Sequence, residues 1–509
     1  MPTRTKARGS KVATPAPAPA PVVAPESPGR YRARVRMYRH GLGDCFLLTL
    51  PRAGKRPFNI LIDCGVIGVG KQPMRDLVCH IRDTVRAGQK TGKSRLDLVV
   101  ATHEHKDHLS GFNQARDIFN DDFDIGAVWL GWTENLTRSE IRQIKQARKR
   151  AVAKLEASLA GAAMAGVASE VGRSTAAGVA ALLGFSSDDD RTGSGRVAEA
   201  LEYLKARGDA AGDLQYLEPG GEPLTLPGVP GVRVYVLGPP RDPSLLKGSE
   251  VTEQMKKEDV VYHLSRFGDV GVDALAAASS APGQPDGERF HPFAPEHRIA
   301  RTFRDQWSPA TPRPNPYFSG IRDFVARTYD DPSQRWRQID EDWLSAFGEL
   351  ALDLDGDTNN TSLVLAFEFV RTSEVLLFVG DAQVGSWQSW AKVEFTVPGR
   401  AKPVPACDLL SRTVFYKVGH HCSHNATLKK GGLELMNRED LVAFIPLDEA
   451  TARTQGSKGW DMPAGPLHKA LLAKTAGRTV ISDVAKAVPR AAVTAGVRAT
   501  KTFVDYFLK

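Results

Sequence analysis

Along the first hundred residues, hydrophobic and polar positions change places in short runs. Residues 33–38 alternate as a half-buried strand does, and residues 45–50 and 59–62 are brief apolar runs bounded by glycine, proline and charge. These spacings predict a three-stranded meander. Over residues 73–87, Met74, Leu77, Val78, Ile81 and Val85 fall on one helical face, which predicts a helix packed on a core. The near-continuous apolar run 96–101 predicts a buried strand, and residues 125–130 predict another. Strands interleaved with helices point to an α/β fold.

The pattern then breaks twice. Residues 136–159 predict a long helix carrying Arg138, Arg142, Lys145, Arg148, Lys149, Arg150 and Lys154. Its basic face is either a solvated surface or a surface that tracks phosphates. An Ala- and Gly-rich stretch, a polar loop and a helix over 197–206 follow. Strand signals return at 224 and 232–237, give way to irregular sequence over 246–345, and resume at 362–367, 375–379, 414–418, 441–445, 479–481 and 502–507. The organisation expected is therefore a tail (1–30, alternating Ala and Pro), a first half-domain (31–135), a basic helical insertion (136–215), core strands (216–245), a second insertion (246–345) and a second half-domain (346–509).

Composition narrows the class without deciding the function. Hydrophobic residues at 42% and charged residues at 25% belong to a globular chain, which excludes a fibrous or wholly disordered one. No uncharged apolar run approaches the ~18 residues of a membrane span, and the basic N-terminus lacks the apolar stretch of a signal peptide. Five irregularly spaced cysteines do not make a disulfide framework, so a reducing, cytoplasmic setting is expected. Lys and Arg outnumber Asp and Glu by 67 to 59, a charge of +8 that suits anionic partners, phosphates in particular.

The chemistry concentrates in Thr102-His103-Glu104-His105-Lys106-Asp107-His108, directly after the buried strand. His103, His105, Asp107 and His108 are all metal-ligating types. A strand end sends His103 and His105 to one side, while Asp107 and His108 open the next helix and turn toward a neighbouring position. That arrangement suits two adjacent divalent ions about 4 Å apart. Imidazole and carboxylate together select zinc, manganese or iron, with zinc expected first and manganese second.

His-x-His-x-Asp-His after a hydrophobic strand resembles the signature of the metallo-β-lactamase superfamily. Further segments are similar to that family's pattern, in order. Leu61-Ile62-Asp63-Cys64-Gly65 matches its strand-end Asp-Gly element, where Asp63 would orient the ligands by hydrogen bonds. Leu377-Phe378-Val379-Gly380-Asp381 matches the strand delivering a metal-bridging aspartate, which makes Asp381 the bridging candidate. Lys417-Val418-Gly419-His420-His421-Cys422-Ser423-His424-Asn425 resembles the late histidine motif of one branch, represented by the metallo-β-lactamase domain of the DNA-uptake protein ComEC. Asn359-Asn360-Thr361-Ser362, Gly238-Pro239-Pro240 and Gly43-Asp44-Cys45 also fit that branch. The resemblance covers 31–135, 224–240 and 359–445 and implies an αββα sandwich with both insertions outside it. It implies His420 as the late metal ligand and His421 as a contact to an anionic substrate or leaving group. Lys417, Ser423, His424, Asn425 and Asn360 would bind substrate.

The chain departs from the pattern in three ways. It has no transmembrane bundle, so DNA transport is not implied. Cys422 stands where the branch has glycine. No separate histidine is evident between the first motif and Asp381: His263, His291 and His297 lie in the interval but within the second insertion, and Asn360 or water is the substitute. Asp353–Asp357 is no calcium loop, because its glycine is misplaced and no glutamate closes it. The expected function is metal-dependent hydrolysis of phosphodiesters in nucleic acid or nucleotides, with a metal-activated water as nucleophile and Asp107 orienting it and taking its proton. Hydrolysis of an ester, lactone, thioester or β-lactam is the second reading. A binding or scaffold protein with a vestigial metal site is the third.

Overall fold

We describe the protein from a computed structural model that covers residues 31–68, 71–86, 92–164, 197–246, 356–455 and 459–509, with isolated positions between 255 and 331. Strands β1 (Ala33–Tyr38), β2 (Cys45–Arg52) and β3 (Lys55–Cys64) form the expected antiparallel meander, with Val35 opposite Leu48 and Leu47 opposite Leu61. Helix α1 (Lys71–Arg86) crosses to β4 (Ser94–Leu96) and β5 (Leu98–Ala101), and β5 runs parallel to β3. Helices α2 (Lys106–Gln114) and α3 (Arg116–Asp122) lead through β6 (Phe123–Ile125) to β7 (Val128–Gly131), parallel to β5. The long α4 (Ser139–Met164) follows, then α5 (Val197–Ala211) and β8 (Leu214–Leu217), which adds to β7 in parallel.

A second sheet takes up the rest. It contains β9 (Leu224–Leu226), β10 (Val229–Gly238), β11 (Val364–Phe369) and β12 (Glu374–Phe378). After the small ribbon of β13 (Glu394–Phe395) and β14 (Val404–Pro405), it continues with β15 (Thr413–Lys417), β16 (Val442–Ile445) and β17 (Thr479–Ile481). Its order is β17-β16-β15-β12-β11-β10-β9, and β12, β15, β16 and β17 are mutually parallel. The last strands, β18 (Val497–Ala499) and β19 (Phe503–Leu508), return to the first sheet beside β1, giving the order β18-β19-β1-β2-β3-β5-β7-β8.

The period of two explains the layers. In β10, Val234 and Val236 face the first sheet while Tyr235 and Leu237 face away; in β11, Leu365 and Phe367 face in, and Val364 and Ala366 out. One buried core therefore lies between the sheets. At its centre Phe378 meets Phe46, Phe367 and Phe415, with ring centroids 5.4–5.9 Å apart. A second core joins the outer face of the first sheet to Leu77, Val78 and Ile81 of α1 and to Leu201 and Leu204 of α5. A third joins the other outer face to Trp387, Leu409, Leu467 and Leu471 on short helices. The result is a mixed α/β sandwich with helices on both outer faces. No helix among the described residues is long and apolar enough to cross a membrane.

The structure differs from the sequence pattern near residues 197–217. Helix α5 and the first half of β8, which the pattern assigns to the basic insertion, belong to the core. Ala200 and Leu204 are fully buried, and a Cβ on Gly208 would sit 2.9 Å from Val128 Cβ. Small residues on α5 give little contrast between its faces, so the helix reads as peripheral.

Candidate metal centre

Strands β3 and β5 of one sheet and β12 and β15 of the other all end at one edge of the sandwich. The carboxyl ends of parallel strands are where open α/β sheets place ligands. The two sheets are tied there by Leu363 N–H, which donates to Thr102 O at 2.8 Å. Asp63, in the left-handed region (φ 56°), closes β3; Thr102 and His103 follow β5; Asp381 follows β12; His421 follows β15. Gly65 permits the close approach of α2. A Cβ there would lie 2.3 Å from both Asp107 C and His108 N, so only glycine lets the turn bearing these ligands seat against β3.

Asp107, His108, Asp381 and His421 are buried and aim one ligand atom each into a common space, all within 4.8 Å of one another. His421 Nε2 lies 2.8 Å from Asp107 Oδ2 and 3.8 Å from Asp381 Oδ2, and His108 Nε2 lies 3.2 Å from Asp381 Oδ2. Outer partners fix each ring. His421 Nδ1 donates to Pro446 O at 2.6 Å, and His108 Nδ1 donates to Asp63 Oδ2 at 2.8 Å, so each aims its Nε2 at the centre, free to ligate once its proton is displaced. Asp63 also accepts from Thr102 N (2.8 Å) and Thr102 Oγ1 (2.7 Å). His103 and His105 bring Nε2 and Nδ1 to 3.0 Å of each other beside the cluster, within hydrogen-bond distance. Among the described residues no third His, Cys, Asp or Glu completes a separate group around that pair. His263, His291 and His297 lie outside the described residues.

Charge makes the case for cations. Asp44, Asp63, Asp107 and Asp381 are all buried, and the buried ammonium of Lys417 pairs with Asp44 and Asp381. Burial alone raises the pKa of Asp107, yet His108 and His421 hold it well below the usual carboxylate range; His108 and Lys417 do the same for Asp381. In return, although burial opposes it, Asp381 and Asp107 raise the imidazoles of His108 and His421 above their ordinary value. Burial pushes Asp44 up to about 6 and His105 down to about 3, and takes His103 well below the usual range. His103 and His105 are thus neutral donors at neutral pH, as metal ligation requires. Asp107 Oδ1 and Asp44 Oδ1 are buried and make no hydrogen bond, so each retains lone-pair capacity that a cation would satisfy, and His108 Nε2 offers its lone pair once its proton is displaced. The donor set of imidazole and carboxylate fits divalent metal.

Two positions differ from the sequence reading. His421, not His420, joins Asp107 and Asp381. The cause is a run of left-handed residues, His420 (φ 40°), His421 (φ 49°) and Cys422 (φ 65°), that turns the first ring aside and the second in. His420 Nδ1 sits instead against Ser423 Oγ (2.7 Å), Gln383 Nε2 (3.0 Å) and Asn425 Oδ1 (3.3 Å), and burial holds its pKa near 4. Lys417 does not face a substrate. It is buried, ion-paired with Asp44, and donates to Gly380 O (2.6 Å) and Asp381 Oδ1 (3.2 Å). Asn360 accepts from Gln383 N and Ser386 N, both at 3.2 Å, at the start of the helix Val384–Trp390. Ser423 and Asn425 surround His420, while His424 is exposed on the turn.

Sequence reasoning assigned no role to Asp44, Thr102 or Ser362. Asp44 shares a site with Asp63 and His108, but Lys417 neutralises it and Thr102 and His108 saturate Asp63, so this group supports the centre. Ser362 Oγ accepts from Asp381 N at 2.9 Å and lies 3.3 Å from His103 Nδ1. The Gly43-Asp44 pair just before a strand was the available signal.

No family model, curated protein or solved structure matches the chain.

Asp63→Asn tests the outer support. The amide accepts less strongly and presents an N–H to His108 Nδ1, so metal affinity is expected to fall about 10- to 100-fold in a chelator competition. Unchanged affinity contradicts the role. Protons supply the second check. In the metal-free chain His108 and His421 hold protons above the usual imidazole range, and an arriving cation displaces them. Affinity therefore rises with pH through neutrality and falls on acidification. Calorimetry in buffers of different ionisation enthalpy should register proton release, and uptake would contradict the assignment.

Proposed function

We propose that the chain is a metallo-β-lactamase-type hydrolase that uses two divalent metals, zinc before manganese, to cleave phosphodiester bonds. The observation that carries this reading is the convergence of Asp107, His108, Asp381 and His421 beside the His103–His105 pair, at one edge of two facing sheets. The order of these residues along the chain and the helix–sheet–sheet–helix layering support the family assignment. Five free cysteines support action in a reducing, cytoplasmic setting.

Divalent cations here would supply Lewis acidity, lowering the pKa of a water and offsetting charge on phosphoryl oxygens. The chain supplies the rest. Asp107, with Oδ2 on His421 and Oδ1 making no hydrogen bond, is placed to orient that water and accept its proton. His420 stands at the rim. Its Nδ1 faces the hydroxyl of Ser423 and its Nε2 lies 3.4 Å from Asn359 Nδ2, so a leaving oxygen or substrate anion would compete with Asn359 for that nitrogen. The basic balance of the chain favours a phosphate over a neutral ester.

The test is hydrolysis of bis-p-nitrophenyl phosphate, p-nitrophenyl acetate and a chromogenic cephalosporin by metal-loaded protein. Preference for the phosphodiester is expected. Turnover confined to the acetate or the cephalosporin assigns the chain to ester or amide hydrolysis, and bound metal without turnover of any of the three favours a binding role.

A further inference from the structure

The strand ends beside the metal centre are bridged by an ammonium from outside the two sheets. His103 and His105 turn their rings together, with centroids 4.7 Å apart, while Glu104 between them reaches helix α4. There Lys145 Nζ lies 2.8 Å from Glu104 Oε2 and is also bonded to Glu134 Oε2. Glu104 follows β5, and Glu134 ends the single turn Trp132–Glu134 after β7. Since β5 and β7 are parallel neighbours, one ammonium ties together two adjacent strand ends. The helix that carries it is itself docked. Ile141, four residues earlier and so on the same face, is buried in a cluster with Trp132 and Leu246, and Arg138 pairs with Glu218.

Two carboxylates that meet at one ammonium repel each other once it is removed. Glu134 is buried, where a charge stripped of its partner is costly, so the repulsion falls on the more exposed Glu104. Glu104 is also the residue whose neighbours matter. The loop around it is held by short turns of its own backbone, with His105 N–H donating to His103 O at 3.1 Å and His108 N–H to His105 O at 3.2 Å. We propose that Lys145 is a positioning residue of the metal centre: by holding Glu104 it sets where His103 and His105 stand beside Asp107 and His108, so that docking of α4 governs metal affinity. This rests on the metal-centre reading and is independent of which bond is hydrolysed.

Zinc affinity of the full-length chain is measured by chelator competition, and hydrogen exchange of residues 103–108 is followed in the metal-free chain. Lys145→Met is expected to weaken zinc binding about 10- to 100-fold, as removal of groups that orient metal ligands does. Exchange at the His105 and His108 amides should quicken about tenfold as the loop opens locally. Lys145→Arg, which keeps the charge, should retain the wild-type behaviour in both. Glu104→Gln leaves Lys145 paired with Glu134, so the helix stays docked, and it should weaken zinc as Lys145→Met does. The decisive comparison is a double-mutant cycle. In a His105→Ala chain, Lys145→Met is expected to cost no further affinity, because the imidazole it places is already gone. Losses that add in the double variant, or wild-type affinity in both Lys145→Met and Glu104→Gln, overturn the role of Lys145 and leave the metal centre standing. A wild-type chain that binds no zinc overturns the metal-centre reading, and the role of Lys145 with it.

Discussion

Asp381→Ala is expected to lower metal-dependent phosphodiester turnover by on the order of a thousandfold or more and to empty at least one metal position. Asp381 is the hub of the charge balance. One oxygen faces His108 Nε2 at 3.2 Å, and the other accepts from His420 N at 2.9 Å and Lys417 Nζ at 3.2 Å. Removing the carboxylate takes one ligand from the centre and leaves Lys417 with Asp44 as its remaining carboxylate partner. The backbone of His420 also loses an acceptor, which loosens the turn that aims His421. Asp381→Asn separates these effects. It preserves shape, so folding is expected to survive by thermal melt while turnover stays low. Turnover within tenfold of wild type in Asp381→Asn would mean that the centre of catalysis lies elsewhere.

Gly65→Ala is the second large effect, and it acts through sterics. The three atoms nearest a Cβ there are all backbone: Asp107 C and His108 N at 2.3 Å, His108 C at 2.5 Å. No rotamer change can relieve this, so the start of α2 must move. A displacement of about 1 Å in a catalytic constellation costs on the order of a hundredfold in rate, and overpacking costs about 1–3 kcal/mol of stability. Loss of both metal affinity and stability is expected. Gly465→Ala is the control, since a Cβ there meets nothing within 4 Å. Gly65→Ala with wild-type metal content would contradict the close packing of α2 on β3.

The parts of the site carried by contiguous sequence were legible; those set by pairing or by backbone conformation were not. His103, His105, Asp107 and His108 stand together after one buried strand, so their types and spacing speak without a structure. Asp44 becomes a neighbour of Asp63 only because β2 and β3 pair with Cys45 opposite Cys64, a register fixed by the whole meander. His420 and His421 are indistinguishable as letters, and three successive positive φ angles decide between them. Lys417 reads as exposed because lysine nearly always is; the Asp44 carboxylate before β2 and the Gly380 carbonyl and Asp381 carboxylate after β12 make its burial tolerable. In the fold, the alternating strands were visible in the sequence, whereas α5 was hidden by its small residues.

The most direct measurement is metal content of the purified chain together with hydrolysis of bis-p-nitrophenyl phosphate, for wild type and His105→Ala. Close to two divalent ions per wild-type chain are expected, and in the mutant both lower metal content and lost turnover. A wild-type chain that binds no divalent metal, or a His105→Ala chain that hydrolyses the diester as wild type does, would contradict that expectation.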